Sequence, residues 1–205
     1  MTVTPVRIWL DPSCPWAWQA HVWMRDLRQR QVVELTYSFF SLEVNASAPD
    51  LPFAEAAPRY GDALTALTLA RREGGTDAVE ALYTALGRRL HEQGRAIDLE
   101  VVREATDDAG LHGLADRARA TSGLAAEVLE EHRAARALDV FGVPTLQIDD
   151  GKTIYGPILA VGPTGEDGAA LWEAVRNLVT RDAFFELKRW PRDIRPGGAP
   201  TGPTT

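Results

Sequence analysis

The sequence predicts an α/β fold in which one sheet domain is interrupted by an all-helical insertion. Three observations carry this prediction. A strand–helix–strand pattern opens the chain, a helix-rich block with no strand pattern fills the middle, and strand signals return only near residue 145, ahead of a last amphipathic helix. The 205 residues suffice for a domain with a sizeable core and a large insertion.

The first strand covers 6–10, a short β-branched and aromatic run closed by Asp11-Pro12-Ser13. A helix follows over 15–29. Trp16, Ala20, Trp23, Met24 and Leu27 recur there at helical spacing, and Pro15 suits a first helical position. A second strand is predicted over 33–42, where Leu35, Tyr37 and Phe39 alternate with smaller or polar residues. This order favours a parallel strand pair joined by a right-handed crossover.

From 52 to 139 the chain is rich in Ala, Leu, Glu and Arg, and four or five helices are expected. Gly74-Gly75 should break the first from the second with Thr76 as N-cap, Gly94 should end the second, and Asp98 and Ser122 should cap later ones. The block is too long for a loop, so it is expected to be a helical subdomain inserted into the sheet domain. Residues 145–148 and 153–155 then form a hairpin across Asp149-Asp150-Gly151. A final helix over 166–181 should bury Leu171, Trp172, Val175, Leu178 and Val179. The expected domains are therefore 1–51 with 140–190, and 52–139 inserted between them. A Pro-, Gly- and Thr-rich tail over 196–205 should be disordered.

Composition narrows the function. A net charge of −7 argues against a nucleic-acid surface, which needs clustered Lys and Arg. No apolar run approaches the roughly 20 residues of a membrane span, and residues 1–10 lack a signal-peptide pattern. The single cysteine excludes an internal disulfide and a cysteine-based zinc cluster, and a lone free thiol fits a reducing compartment. The expected location is cytoplasmic. His21, His91, His112 and His132 have no zinc-type spacing, so no metal is expected, and each reads as a surface or packing residue. No oligomeric state can be read.

Chemistry concentrates in Asp11-Pro12-Ser13-Cys14-Pro15-Trp16-Ala17-Trp18. Cys14 lies where a strand hands over to a helix, facing free backbone N–H groups and the positive end of the helix dipole. Both favour thiolate, so its pKa is expected below the free value of about 8.5. A thiolate attacks disulfides and electrophiles. The bland alternative is a small buried residue that only packs. Trp16 and Trp18 flank the thiol and read either as stacking surfaces for a flat substrate or as plain core. Phe141-Gly142-Val143-Pro144-Thr145-Leu146 places a proline immediately before a strand, where it can donate no ladder hydrogen bond.

Cys-Pro-Trp-X between strand and helix, a helical insertion, Gly-Val-Pro-Thr-Leu, and a closing hairpin and helix resemble the thioredoxin fold of the DsbA family. Within it, Leu82-Tyr83-Thr84-Ala85-Leu86-Gly87, Leu90-His91-Glu92-Gln93-Gly94, Tyr155-Gly156-Pro157-Ile158-Leu159, Gly165-Glu166, Leu171-Trp172-Glu173-Ala174 and Phe184-Phe185-Glu186-Leu187-Lys188-Arg189 are similar to actinobacterial mycothiol-dependent nitroreductases. The similarity runs from about Ile8 to Arg189. It implies that Cys14 is the attacking thiol and that Pro144 is a cis proline beside it. Pro15, Trp16, Ala17, Val143, Pro144 and Thr145 are then the thiol-binding surroundings. It also implies mycothiol, a low-molecular-weight thiol, as co-substrate, with a small electrophile or disulfide as partner and no tightly bound organic cofactor. Ala17 departs from the family's Cys-Pro-Trp-Cys, so the two-cysteine cycle is closed to this chain.

Three functions follow. The first is a monothiol reductase working through mixed disulfides. The second is a thiol-cofactor-activating enzyme similar to kappa-class glutathione transferases and chromene-carboxylate isomerases. The third is a thiol-binding module without turnover.

Overall fold

Alternating large apolar residues build two neighbouring strands, β1 (Thr4–Leu10) and β2 (Val33–Phe39). The computed structural model describes residues 3–48 and 51–189, and the tail at 196–205 lies outside them. The two strands pair in parallel, Thr4 opposite Val33 through Leu10 opposite Phe39, across helix α1 (Pro15–Gln29), as the opening pattern predicts. β3 (Thr145–Ile148) and β4 (Thr153–Tyr155) form the expected hairpin. Antiparallel pairing of β3 to β1 completes a sheet of order β2-β1-β3-β4. This is an α/β, DsbA-like thioredoxin fold.

The second strand ends earlier than 42. Ser41 caps a short helix, α2 (Leu42–Ala46), its hydroxyl accepting from the Val44 N–H at 3.2 Å. The buried Asp11 carboxylate takes the Leu42 N–H at 2.6 Å. Two side-chain acceptors thus turn the chain out of the sheet where apolar patterning alone would extend it.

α3 (Phe53–Ala56) leads into the helical insertion, α4 (Gly61–Gly87), α5 (Leu99–Asp108), α6 (Leu114–Ala120) and α7 (Leu124–Ala137). The break expected at Gly74-Gly75 is a kink inside α4: Gly75 sits at φ 62°, ψ −151°, and helix resumes beyond it. A π-helical turn over Arg88–Glu92 follows α4 and leads to Gly94 at φ 67°. Asp98 caps α5 through the Val101 N–H at 2.8 Å. Ser122 does not cap α7, because the N-cap position falls on Gly123 in the left-handed region, with no side-chain cap bond.

The last helix, α8 (Gly165–Val179), buries less than its apolar pattern suggests. Only Gly168 and Trp172 are buried, and Leu178 is exposed. α8 packs on α1: the Trp23 Nε1–H donates to the Gly168 carbonyl at 2.9 Å, Trp23 tilts against Trp172, the Gly165 N–H donates to Asp26 at 2.9 Å, and Leu171, Val175 and Val179 rest half-buried against the core. The continuous core lies between the sheet, α1 and α4, around Trp9, Trp23, Tyr37, Phe39 and Tyr83. No helix among the described residues is long and apolar enough to cross a membrane.

A candidate thiol site at the start of α1

Cys14 is the N-cap of α1, with extended backbone at φ −93°, ψ 113°. Its Sγ accepts the Ala17 N–H at 3.4 Å, so a free N–H of the first turn faces the sulfur. From the segment that leads into β3, the neighbour of β1, the Val143 carbonyl lies 3.6 Å from Sγ and accepts its S–H. The Val143–Pro144 peptide is cis. These two chain segments are 129 residues apart in sequence. Thr145 closes the Val143–Pro144 turn, its hydroxyl donating to the Gly142 carbonyl at 2.8 Å, and the Pro144 carbonyl accepts from the Gly156 N–H at 2.8 Å.

The acidity of the thiol differs from the sequence expectation. Burial pushes the Cys14 thiol up, the N–H groups of Ala17 and Trp16 pull it down, and the charge of Asp11 pushes it up further. The net direction is upward because only 6% of Cys14 is exposed, so desolvation of the thiolate outweighs the helix end. Cys14 is therefore held as a thiol near neutral pH.

Asp11 organises the loop in a way that the sequence did not single out. Its fully buried carboxylate accepts the Ser13 N–H at 2.7 Å and the Leu42 N–H at 2.6 Å. Its carbonyl accepts the Cys14 N–H and the Tyr83 hydroxyl, both at 3.1 Å. One residue thus joins the end of β1, the thiol loop, the start of α2 and the insertion. Burial raises its carboxyl pKa against the pull of those N–H bonds. His91 donates from Nε2 to the Pro12 carbonyl at 2.9 Å, and burial lowers its pKa. The sequence signal for Asp11 is an acidic residue directly after the apolar run that ends β1, where a solvated loop is the default reading.

Of the expected surroundings, Pro15 and Trp16 are half-buried, and Ala17, Val143, Pro144 and Thr145 are buried. Trp18 is core: it packs on Gly87, where an added Cβ would lie 2.1 Å from the indole ring, and it stacks on His21 at 5.5 Å. His21 is fully buried and belongs to a polar chain. The Tyr37 hydroxyl donates to Glu80 at 3.3 Å, accepts from His21 Nδ1 at 3.3 Å, and Thr84 meets His21 Nε2 at 2.9 Å. That order assigns the proton to Nδ1. Burial, with Arg25 adding to it, drives the His21 pKa down to about 3. Among the described residues no group of three His, Cys, Asp or Glu side chains is placed to hold a metal.

Comparison with known proteins places this geometry in context. The family model for Rv2466c-like proteins, described by mycothiol-dependent nitroreductase Rv2466c, matches residues 13–189. The uncharacterized protein Rv2286c of Mycobacterium tuberculosis is 31% identical over 190 residues, covering 91% of this chain and 82% of that protein. The probable DsbA oxidoreductase SCO1869 of Streptomyces coelicolor has a similar structure, with a TM-score of 0.63 at 22% identity over 93% of this chain and 97% of that one. So does the cytosolic disulfide reductase DsbM of Pseudomonas aeruginosa with GSH, with a TM-score of 0.57 at 19% identity over 85% and 100%.

Proposed function

Since the chain belongs to the Rv2466c-like family of mycothiol-dependent nitroreductases, we propose that it is a reductase acting through one nucleophilic thiol, Cys14, by mixed disulfides with mycothiol. The observation that supports this most directly is the setting of Sγ, between the first-turn Ala17 N–H and the Val143 carbonyl beside Pro144, in a chain with no second cysteine.

The cycle is a pair of sulfur exchanges. The Cys14 sulfur attacks the mycothiol sulfur of a disulfide between mycothiol and a substrate thiol. The substrate's S–S bond breaks, its thiolate leaves with the proton that Cys14 gives up, and mycothiol stays on Cys14. A second mycothiol thiolate then attacks that bond, departs as mycothiol disulfide and returns Cys14. Both electrons come from mycothiol. The family description names a nitro substrate. A disulfide substrate suits a single thiol, because one thiol completes each two-electron exchange. Trp16, Pro15, Val143, Pro144 and Thr145 would border the incoming disulfide. Ala17 would occupy the place of a tethered resolving thiol, whose effective concentration reaches about the mM range; its absence leaves resolution to a second small thiol from solution. A reducing compartment, the cytoplasm, suits such a cycle.

Intact-mass measurement after incubation with mycothiol disulfide tests the proposal. One added mycothiol is expected on the unaltered chain and none on Cys14→Ser, with turnover rising with free mycothiol and lost in the variant. Turnover that persists in Cys14→Ser would move the function to cofactor activation, and an accessible Cys14 that forms no adduct would end the reductase reading.

A further inference from the structure

The described residues include a second cavity that the thiol cycle does not use. It has a volume of about 290 Å³ and lies between α2, α3 and α7. Its walls are of two kinds. Val44, Leu51, Ala56 and Leu129 supply apolar surface, and His132, Arg133 and Arg136 supply the polar end. Among the described residues no acidic residue lines it. The larger cleft, about 590 Å³ between α1, α4 and α5, differs in this respect, because Asp77, Glu80 and Asp108 line it beside Arg25, Arg88 and Arg89.

The cations of the smaller cavity are weakly answered within the protein. Arg136 donates to the neutral Asn45 Oδ1 at 2.8 Å. Arg133 has a single loose ion pair, with Glu130 at 3.8 Å, and both of those side chains are well exposed. His132 is buried, stacked on Phe40 at 4.4 Å, and its Nδ1 has no hydrogen-bond partner among the described residues. Such an orphaned polar atom in a buried ring calls for an explanation. Elsewhere in the insertion arginines meet carboxylates closely: Arg71 pairs with Glu131 at 2.7 Å and Arg103 with Asp116 at 2.7 Å. Among the described residues, no carboxylate meets the cations of the His132 corner that closely.

We propose that this cavity binds a small organic carboxylate, its apolar body against Val44, Leu51, Ala56 and Leu129 and its carboxylate at Arg133 and Arg136, beside the His132 ring. Arginine suits a carboxylate through paired parallel N–H donors. A cavity with mostly apolar walls and a few convergent polar groups is the usual form of a small-ligand site. His132 supplies an internal reporter. Burial, Arg136 and Arg133 hold its pKa down at about 4, and an anion at the same corner opposes the two arginines and stabilises the imidazolium. Among the described residues α2 and α3 contribute no charged residue to the cavity, so the charges that act on the reporter besides burial are those of Arg136 and Arg133. This inference is independent of the thiol chemistry.

The test is an NMR titration of the full chain, following the His132 ring signals, with hexanoate, hexanol and inorganic phosphate as separate probes. Hexanoate should shift the signals saturably and move the His132 titration to higher pH. Hexanol and phosphate should each bind at least about tenfold more weakly, since each lacks one half of the contact. Arg133→Gln with Arg136→Gln should weaken hexanoate by about tenfold or more and leave Cys14 alkylation and the far-ultraviolet circular dichroism unchanged. Three results would each overturn the proposal: no saturable shift, equal binding of phosphate and hexanoate, or unaltered hexanoate binding in the double variant.

Discussion

The two buried polar centres of this protein, Cys14–Asp11 and His21–Tyr37–Glu80–Thr84, face different demands. In the second, the polar atoms meet one another: Tyr37 bridges His21 and Glu80, Thr84 ends the chain at His21, and Arg28 answers Glu80 at 3.0 Å. In the first, Asp11 is fully engaged by main-chain donors, while the sulfur beside it has one N–H at 3.4 Å and one carbonyl at 3.6 Å. A satisfied network holds an interior in one arrangement. A loosely held thiol can leave its partners and form a bond to another sulfur. Burial depth does not separate the two centres. The completeness of the partners does.

The sharpest way to break this comparison is at Gly87, which joins the two centres by packing under Trp18. Gly87→Ala puts a methyl group into the indole face in a full interior, and a destabilisation of about 3 kcal/mol is expected. Urea unfolding of the purified variant checks it; stability equal to that of the unaltered chain would show that Trp18 is free to move.

His21→Phe removes one member of the satisfied network and leaves Thr84 and Tyr37 short of a partner, at a cost of about 1–3 kcal/mol. The pH dependence sharpens the contrast. The folded pKa of about 3 lies below the ordinary 6.5, so the unfolded chain binds the proton first as pH falls. The contribution of His21 is present above about 6.5 and is lost as pH falls towards 3. Stability measured at pH 7 and pH 4.5 should therefore drop less in His21→Phe than in the unaltered chain. Some slope should remain from His132, whose depressed pKa of about 4 acts in the same direction. Equal slopes would mean that His21 titrates in the fold as it does in the unfolded chain. Cys14 alkylation should be unchanged, since the network makes no bond to the sulfur.

The smallest expected effect is on the thiol itself. Asp11→Asn removes the negative charge that raises the Cys14 pKa while keeping a side chain of the same shape. The pH midpoint of Cys14 alkylation should move down and the rate at neutral pH should rise. An unmoved midpoint would mean that desolvation alone sets the acidity. Because Asn has one acceptor where Asp has two, circular dichroism should accompany the kinetics.

Much of this was legible in the residues. The β1–α1–β2 opening, the hairpin, the kink at Gly75 and the Asp98 cap follow from short-range rules: alternation, helical spacing, glycine's access to positive φ, and capping chemistry. The early end of β2 was not legible, because the group that takes the Leu42 N–H is Asp11, 31 residues away. Nor was the burial of α8: its apolar stripe is real, and only the place of α1 decides that Trp172 is buried while Leu178 is exposed.

The sequence by itself determined the fold class and pointed to the thiol, because a cysteine between a strand and a helix needs only local order to stand at a helix end. Only the tertiary structure decided the state of that thiol. Its protonation depends on how much water the surrounding chain removes and on which charges approach; the charge is that of Asp11, held at this point by Leu42, with the Val143 carbonyl brought to the sulfur by the sheet. Local rules predicted a lowered pKa from the helix end. Burial, a property of the whole packed chain, reversed the sign, because desolvating a thiolate costs more than the N–H groups of Ala17 and Trp16 return.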